Sequence, residues 1–584
     1  MIQIKFRRLT FLMIIFLLGY VSVKITDSYA RQENNINLTF NHYYSYEELS
    51  DALKSLAKAY PKFLKLISIG KSYEGRDIWL MIINNPDAGP DKSKPAMYID
   101  GNIHGNEVQG GEVCLYTIWY LMKNYGKLDK VTELVDQKAF YILPTINPDG
   151  RAYWFNKPGS LRSGTKPVDN DNDGLYDEDP PDDIDGDGEI LTMRKKDPDG
   201  MYKPSKYDPR IMVRVKPGEK GEYILLGSEG IDNDGDGLVN EDGPGGYDPN
   251  RNWPFDWQPP YIQYGSGDYP FSYPETRAGG KFILEHPNIA AVQSYHNSGG
   301  MILRGPGAQK VGEYPASDKR VYDYIGKMGE KILPFYRYYV IWKDLYTVHG
   351  GTINWTGEGL GIFSFSNELW SSAKYYYKSG EARRRGDSEA YEKRQAERLK
   401  FDDLLEMGKF YREWKPFKHP TYGDIEIGGW SKRTNRVPPS FQLEDLCHRN
   451  CMFTLFHADQ MPVIEIRNVE IKKLGEDVFR VRVEVANDRI IPTISAIASK
   501  NKTTRPDIVT ISGSNIKVLS GGIVVDKWYN RIEPVEHKPE RIILRNGIKG
   551  NSQILIQWIV KGYGNVNIKL DCVKGGIREK KVSL

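Results

Sequence analysis

Tyr98-Ile-Asp-Gly-Asn-Ile-His-Gly-Asn-Glu107 is the stretch on which the reading of this chain turns. The apolar run ending in Met97-Tyr98-Ile99 reads as a buried strand. Asp100-Gly-Asn breaks it, and His104 and Glu107 follow in a turn leading into a helix, which the apolar spacing of Cys114, Ile118, Leu121, Met122 and Tyr125 predicts. An imidazole and a carboxylate three residues apart on such a turn can face one ion. The pair suits zinc and leaves room for a third protein ligand and a water. Alone it is a weak signal, because His-x-x-Glu often arises by chance.

Outward from this turn, Tyr44 to Leu56 has helical spacing, and Leu64 to Ile69 and Ile78 to Ile83 read as strands. Phe140 to Leu143, Ile289 to Tyr295, Tyr338 to Trp342 and Ile362 to Ser366 are further buried strands. Long apolar strands alternating with helices predict an α/β sheet covered on both faces, with ligands at the strand ends. The 584 residues suffice for two or more domains. A net charge of +3 gives no reason to expect nucleic acid or an anionic surface as partner. Four cysteines are no disulfide scaffold: Cys114 lies on the apolar face of its helix, and Cys447 and Cys451 read as a local disulfide or two buried thiols rather than a zinc pair. Lys5, Arg7 and Arg8, the apolar run Leu9 to Tyr20 and Ser28-Tyr29-Ala30 have the layout of a signal peptide over residues 1–30. A secreted or periplasmic protein follows, with no stable membrane insertion after cleavage.

Four segments fall at strand ends: His104-Gly-Asn-Glu107, Asn147-Pro-Asp-Gly150, Tyr247-Asp-Pro-Asn-Arg-Asn-Trp253 and Ser294-Tyr-His296. Asn354-Trp355 and Phe365-Ser-Asn-Glu368 lie beyond them. In this order they resemble the zinc metallocarboxypeptidases of the carboxypeptidase A superfamily, over roughly residues 40–460. The resemblance implies a mixed eight-stranded-type sheet flanked by helices. It implies one catalytic zinc on His104, Glu107 and His296, with the fourth position left to water. It makes Glu368 the general base and Arg162 the cation facing the tetrahedral oxyanion, with Arg194 as second choice. Asn250 and Arg251 would grip the substrate's terminal carboxylate, Tyr346 would close over the bound residue, and Asp248 would orient His104. Peptide or protein C-termini are the implied partners.

Ile353 takes the place that holds an acid in relatives preferring basic ends, so apolar or aromatic C-terminal residues are expected. Arg304, eight residues after His296, is a possible pocket residue that would instead attract an acid. Asn106 stands where pancreatic-type relatives have an Arg, so the Gly-Asn-Glu version looks more like the regulatory and bacterial branches. Tyr44 begins the catalytic part soon after Ala30, so activation by removal of a large folded segment is not expected.

Within the catalytic domain expected over residues 38–460, residues 163–246 form an acidic insertion. Asp169-Asn-Asp-Asn-Asp-Gly-Leu-Tyr-Asp-Glu-Asp179 recurs as Asp232-Asn-Asp-Gly-Asp-Gly-Leu-Val-Asn-Glu-Asp242, with a third copy, Asp183-Ile-Asp-Gly-Asp-Gly-Glu-Ile190, between. Carboxylates at positions one, three and five with Gly at six suit calcium, which assigns Asp169, Asp171, Asp173, Asp183, Asp185, Asp187, Asp232, Asp234 and Asp236 as ligands of structural Ca2+. Lys374 to Trp414 reads as one or two charged surface helices, with Arg383 to Arg385 on solvated helix surface. From residue 461 to 584 the period falls to two, as in Phe479-Arg-Val-Arg-Val-Glu-Val485, and predicts a C-terminal β-sandwich. The chain therefore reads as a secreted zinc exopeptidase. Its rivals are a cell-wall peptide (diaminopimelate-type) carboxypeptidase and a calcium-dependent surface-binding protein on an inactive peptidase scaffold.

Overall fold

A computed structural model describes residues 36–371, 388–434 and 436–584. The residues read as a signal peptide and the run Arg383–Arg385 lie outside the described residues.

The central sheet has eight strands: β1 (Leu64–Lys71), β2 (Asp77–Ile83), β3 (Ala96–Gly101), β4 (Ala139–Leu143), β5 (Ile289–Asn297), β6 (Met301–Arg304), β7 (Arg337–Val340) and β8 (Phe363–Leu369). Their spatial order is β1-β2-β4-β3-β5-β8-β6-β7. The inner four run parallel, β2 and β6 lie antiparallel to them, and the sheet is mixed. Every residue of β3, β4 and β5 is buried, as inner strands covered on both faces require.

Alternation along the strands feeds two cores. Met97, Ile99, Phe140 and Ile142 point into one, packed by α1 (Tyr46–Ala59), α2 (Gln109–Asn124), α3 (Asp129–Gln137), α6 (Ala316–Ile332) and α8 (Leu443–Asp459). Tyr98, Tyr141 and Val292 point into the other, closed by Phe282 of α5 (Pro274–Glu285), Trp253 and Trp355. The short α4 (Pro148–Asn156) starts at Asn147, whose side chain caps it by accepting from Gly150 N. Cys114, Cys447 and Cys451 are buried thiols in the first core.

The acidic insertion is more than loops. Thr192–Lys196, Tyr202–Pro204, Met212–Arg214 and Tyr223–Ser228 join Tyr411–His419 and Gly423–Trp430 in a six-stranded sheet. Among the described residues of the stretch expected as surface helices, α7 (Ser388–Leu405) is followed by the strand beginning at Tyr411. Tyr411 buries against Ala396 and Leu399 of α7 and against Ile211 and Val213, which fixes that strand on the insertion.

Beyond residue 463, antiparallel sheets of five and four strands face each other over Val481, Val483, Val485, Val509, Ile511, Trp558 and Leu570. This unit is fastened to the first. Lys138 Nζ, fully buried, donates to the carbonyls of Met461 and Pro462 at 3.1 and 2.8 Å. Asn501 Nδ2 donates to the carbonyls of Glu358 and Gly359 at 2.7 and 3.0 Å. Among the described residues no helix is long and apolar enough to cross a membrane.

Candidate active site

The site forms where β3, β5 and β8 end side by side. Gly101 pairs with Tyr295, and Glu368 pairs with His296 on the adjoining strand. After Gly101 the chain turns through Asn102, whose φ of 56° is left-handed. Asn102 Nδ2 donates to the His104 and Gly105 carbonyls at 2.7 and 3.2 Å, and its Oδ1 accepts from Arg151 Nη1 at 3.1 Å. Arg151 is itself buried and paired with Glu112 at 2.6 Å. Gly105 admits no side chain, since a Cβ there would stand 2.7 Å from Gly150 Cα. Its N–H donates to the Arg162 carbonyl at 2.8 Å, so the same turn that presents His104 and Glu107 also places Arg162.

His104 Nδ1, Glu107 Oε2 and His296 Nδ1 face one point. Glu107 Oε2 lies 2.9 Å from His104 Nδ1 and 3.0 Å from His296 Nδ1, and the two nitrogens are 3.2 Å apart. Donors held about 2.0–2.1 Å from one tetrahedral ion stand roughly 3.3–3.4 Å from each other, so the three fit zinc with slight expansion. The far side of His104 supports this. Its Nε2 donates to Asp248 Oδ1 at 2.9 Å, which leaves the Nδ1 lone pair free for a metal. Burial opposes the charge on Glu107 and Asp248, but His104 and its neighbours more than offset it. Both carboxyls stay well below the usual range.

Arg162 is a part-exposed guanidinium over this cluster. Its Nε and Nη2 donate to Asp248 Oδ2 at 3.2 and 2.9 Å, and its Nη1 to Glu107 Oε1 at 3.2 Å. Glu368 faces the same cleft. Burial, then the charge of Glu107, push its carboxyl up to about 7 against the pull of His296, Arg162 and Arg436.

Beside the triad the cleft encloses about 360 Å³. Met301, Leu303, Ile341, Val348 and Ile353 form an apolar wall, with Leu345 and Tyr346 at its rim. Tyr346 is 58% exposed, which leaves its ring room to swing. Asn250 Oδ1 accepts from Thr352 N and Oγ1 at 2.9 and 3.0 Å, and its amide nitrogen lies 3.4 Å from His296 Nε2. Arg251 is buried at the same wall, its Nη1 donating to the Asn250 carbonyl at 2.7 Å. Among the described residues the only carboxylates lining the cleft are Glu107 and Glu368.

Two sequence expectations fail here. Arg304 does not line the pocket: it follows Leu303 on β6, so its side chain leaves by the opposite face, where its Nε donates to Tyr338 Oη at 2.7 Å. Arg194 is no second choice for the oxyanion. It lies in the insertion's sheet, bound to Glu426 at 2.7 Å and stacked on Trp414 at 4.1 Å. Conversely, Arg436 and Asn297 went unread in the sequence. Arg436 Nη1 reaches Glu107 Oε1 at 3.2 Å and the Asn297 carbonyl at 2.9 Å, and Asn297 N donates to Glu107 Oε2 at 3.1 Å. Position 297, directly after a ligand, was a signal available in the sequence; position 436 offers none.

The three acidic loops share one backbone form. In each, the first Asp accepts from the N–H of the residue five later, as Gly174, Gly188 and Gly237 donate to Asp169, Asp183 and Asp232. Asp232, Asp234 and Asp236 bring their carboxylates together as expected, but the other loops recruit acids from elsewhere. Asp169 and Asp171 meet Asp242, Asp171 and Asp173 meet Glu178, and Asp183 and Asp185 meet Glu229. Asp187 turns away to Arg412, 3.6 Å distant.

Comparison with known proteins gives the family. The sequence profile described as zinc carboxypeptidase matches residues 49–388, and a profile for a domain of unknown function matches residues 463–583. Human carboxypeptidase D is 37% identical over 121 residues, 21% of this chain and 9% of that protein. The zinc carboxypeptidase of Saccharothrix mutabilis subsp. capreolus is 32% identical over 127 residues, 22% of this chain and 29% of that protein. The chain thus matches only a small part of these relatives' length. Bovine thrombin-activatable fibrinolysis inhibitor, solved with a tick carboxypeptidase inhibitor, is 18% identical with a TM-score of 0.42, covering 72% of this chain and 97% of that one.

Proposed function

The chain belongs to the zinc carboxypeptidase family, and from that membership we propose that it removes single residues from peptide C-termini outside the cytoplasm, favouring apolar and aromatic ends over basic ones. The observation that carries this reading is the convergence of His104, Glu107 and His296 beside Glu368, at the mouth of an apolar pocket that also holds Arg251.

Each part of the cleft then has a task. Arg251 and Asn250 take the terminal carboxylate, for which a guanidinium offers two parallel hydrogen bonds. Ile353, Leu303 and Val348 receive the side chain, and among the described residues no acid lines that wall for a Lys or Arg. Tyr346 folds over the bound residue. His104, Glu107 and His296 would hold zinc, which would supply a Lewis acid for the water and the scissile carbonyl. Glu368 accepts a proton from the water that attacks the scissile carbonyl and delivers it to the departing amine as the C–N bond breaks. Arg162 spends three of its five N–H groups on Asp248 and Glu107, and the other two remain for the developing oxyanion.

The signal-like residues 1–30 support export. In the acidic insertion the shared loop form and the added acids Asp242 and Glu229 support structural calcium. Arg304, bound to Tyr338 away from the pocket, favours the apolar reading over the wall-peptide alternative, and the complete ligand set with Glu368 favours an enzyme over an inactive scaffold. Zinc-loaded protein should hydrolyse hippuryl-Phe well above hippuryl-Arg and muropeptides, and Glu368→Gln should abolish this with zinc retained. Zinc-loaded protein inactive on every peptide would refute the function. Terbium luminescence and melting with and without EGTA test the calcium loops: no ion-dependent change in either refutes them.

A further inference from the structure

Arg436 takes no part in the chemistry assigned to the zinc ligands, Glu368 and Arg162, yet it lines the same cleft. Its Nη1 donates to the Asn297 carbonyl and to Glu107 Oε1. Glu107 does not depend on it for orientation. Arg162 Nη1 already donates to Oε1 at 3.2 Å, and the Asn297 N–H to Oε2 at 3.1 Å. Among the described residues Nε and Nη2 of Arg436 have no hydrogen-bond partner, and the side chain is 37% exposed, so a ligand can reach that edge.

Its place along the cleft says which ligand. Polar contacts run in a row. Arg251 lies 3.9 Å from Asp248, Asp248 holds His104 and Arg162, Arg162 meets Glu107, and Glu107 meets Arg436. His104 meets Asp248 through Nε2 and Glu107 through Nδ1, so Arg251 beside Asp248 and Arg436 beside Glu107 lie on opposite sides of that ring. A peptide with its terminal carboxylate on Arg251 and its scissile bond over the triad carries the preceding residue toward Arg436.

We propose that Arg436 is a specificity-determining residue: its unused fork takes the side chain of the residue just N-terminal to the cut and selects Asp or Glu there. The proposal rests on the carboxypeptidase reading. A part-exposed guanidinium–carboxylate pair favours an acid over a base by about tenfold.

The test compares benzoyl-Glu-Phe, benzoyl-Gln-Phe and benzoyl-Lys-Phe on the zinc-loaded full chain, with zinc content measured for every variant. The wild type should cut the Glu peptide about tenfold better than the Lys peptide, judged by kcat/KM. Arg436→Gln should bring that ratio near one, Arg436→Glu should invert it, and Arg436→Lys should keep its sign. A ratio unchanged in Arg436→Gln and Arg436→Glu overturns the proposal. So does an equal loss on all three peptides accompanied by loss of zinc, since Arg436 would then only steady Glu107. Calorimetric affinities of the same peptides for zinc-loaded Glu368→Gln protein, with and without the Arg436 changes, give the ratio without turnover. Wild-type protein that binds with the expected ratio but cuts none of the peptides refutes the carboxypeptidase reading and leaves the selection by Arg436 standing.

Discussion

Replacing Asp248 by Asn tests whether the contact behind His104 tunes the metal site. The Asp248 carboxylate accepts four hydrogen bonds. Oδ1 takes His104 Nε2 at 2.9 Å and Asn250 N at 2.8 Å, and Oδ2 takes Arg162 Nε and Nη2 at 3.2 and 2.9 Å. An amide has one acceptor side and one donor side. If its oxygen stays on His104, its NH2 confronts two Arg162 donors and pushes that cation off the cleft. If it flips, its NH2 confronts the His104 Nε2–H, and the ring proton must move to Nδ1, the nitrogen that should hold the metal. Either outcome weakens zinc, by 10- to 100-fold in affinity from the usual worth of such partners, or about 1.4–2.7 kcal/mol. Competition with a calibrated chelator measures the zinc Kd. The Arg162 displacement should also lower kcat at saturating zinc. An Asp248→Asn protein whose zinc Kd stays within twofold of wild type would falsify the assigned role.

Other outcomes follow from single residues. Glu368→Gln should lower kcat by about 10²–10⁴ without releasing zinc, which activity and metal analysis read together. The base must be ionised to work, so kcat/KM should fall as pH drops through the Glu368 pKa. Burial and Glu107 raise that pKa from 4.5 to about 7 and zinc's charge opposes the rise, which puts the acid limb between these values; a limb below 4.5, or none between pH 4 and 8, contradicts the assignment. Ile353→Asp should cut kcat/KM for C-terminal Phe by about 10–100-fold and raise it for C-terminal Arg, and an unchanged Phe/Arg preference would remove Ile353 from the pocket. Gly361 has φ +70°, and a Cβ there would lie 2.4 Å from Ala498 N in the C-terminal unit. Gly361→Ala should therefore cost about 1–3 kcal/mol in thermal or urea unfolding, and a melting temperature equal to wild type would mean that the two units do not pack as described.

His104 and Glu107 stood out in the sequence as one candidate metal turn, and the family resemblance added His296 and Glu368 to it. His104 and Glu107 share one turn, and His296 ends an apolar run that can only be an inner strand. The pairing of Glu368 with His296 sets those two strand ends side by side. What failed depended on which face of a strand a residue takes, or on partners far along the chain. Arg304 is adjacent to a true pocket residue, but alternation along β6 sends Leu303 in and Arg304 out. Arg194 sits in a strand too short and polar to be seen, and its partner Glu426 is 232 positions away. The acidic repeats showed their ion-binding spacing, while Glu229, which completes one cluster, lies outside them, and Asp242, the last residue of one copy, completes the cluster of another. Arg436 is the extreme case. It meets Glu107 across 329 positions, by way of a segment that re-enters the cleft only after the insertion's sheet has closed. A motif search finds residues whose neighbours in sequence do the chemistry with them. It passes over those, such as Arg436, that the fold brings to the same cleft from afar.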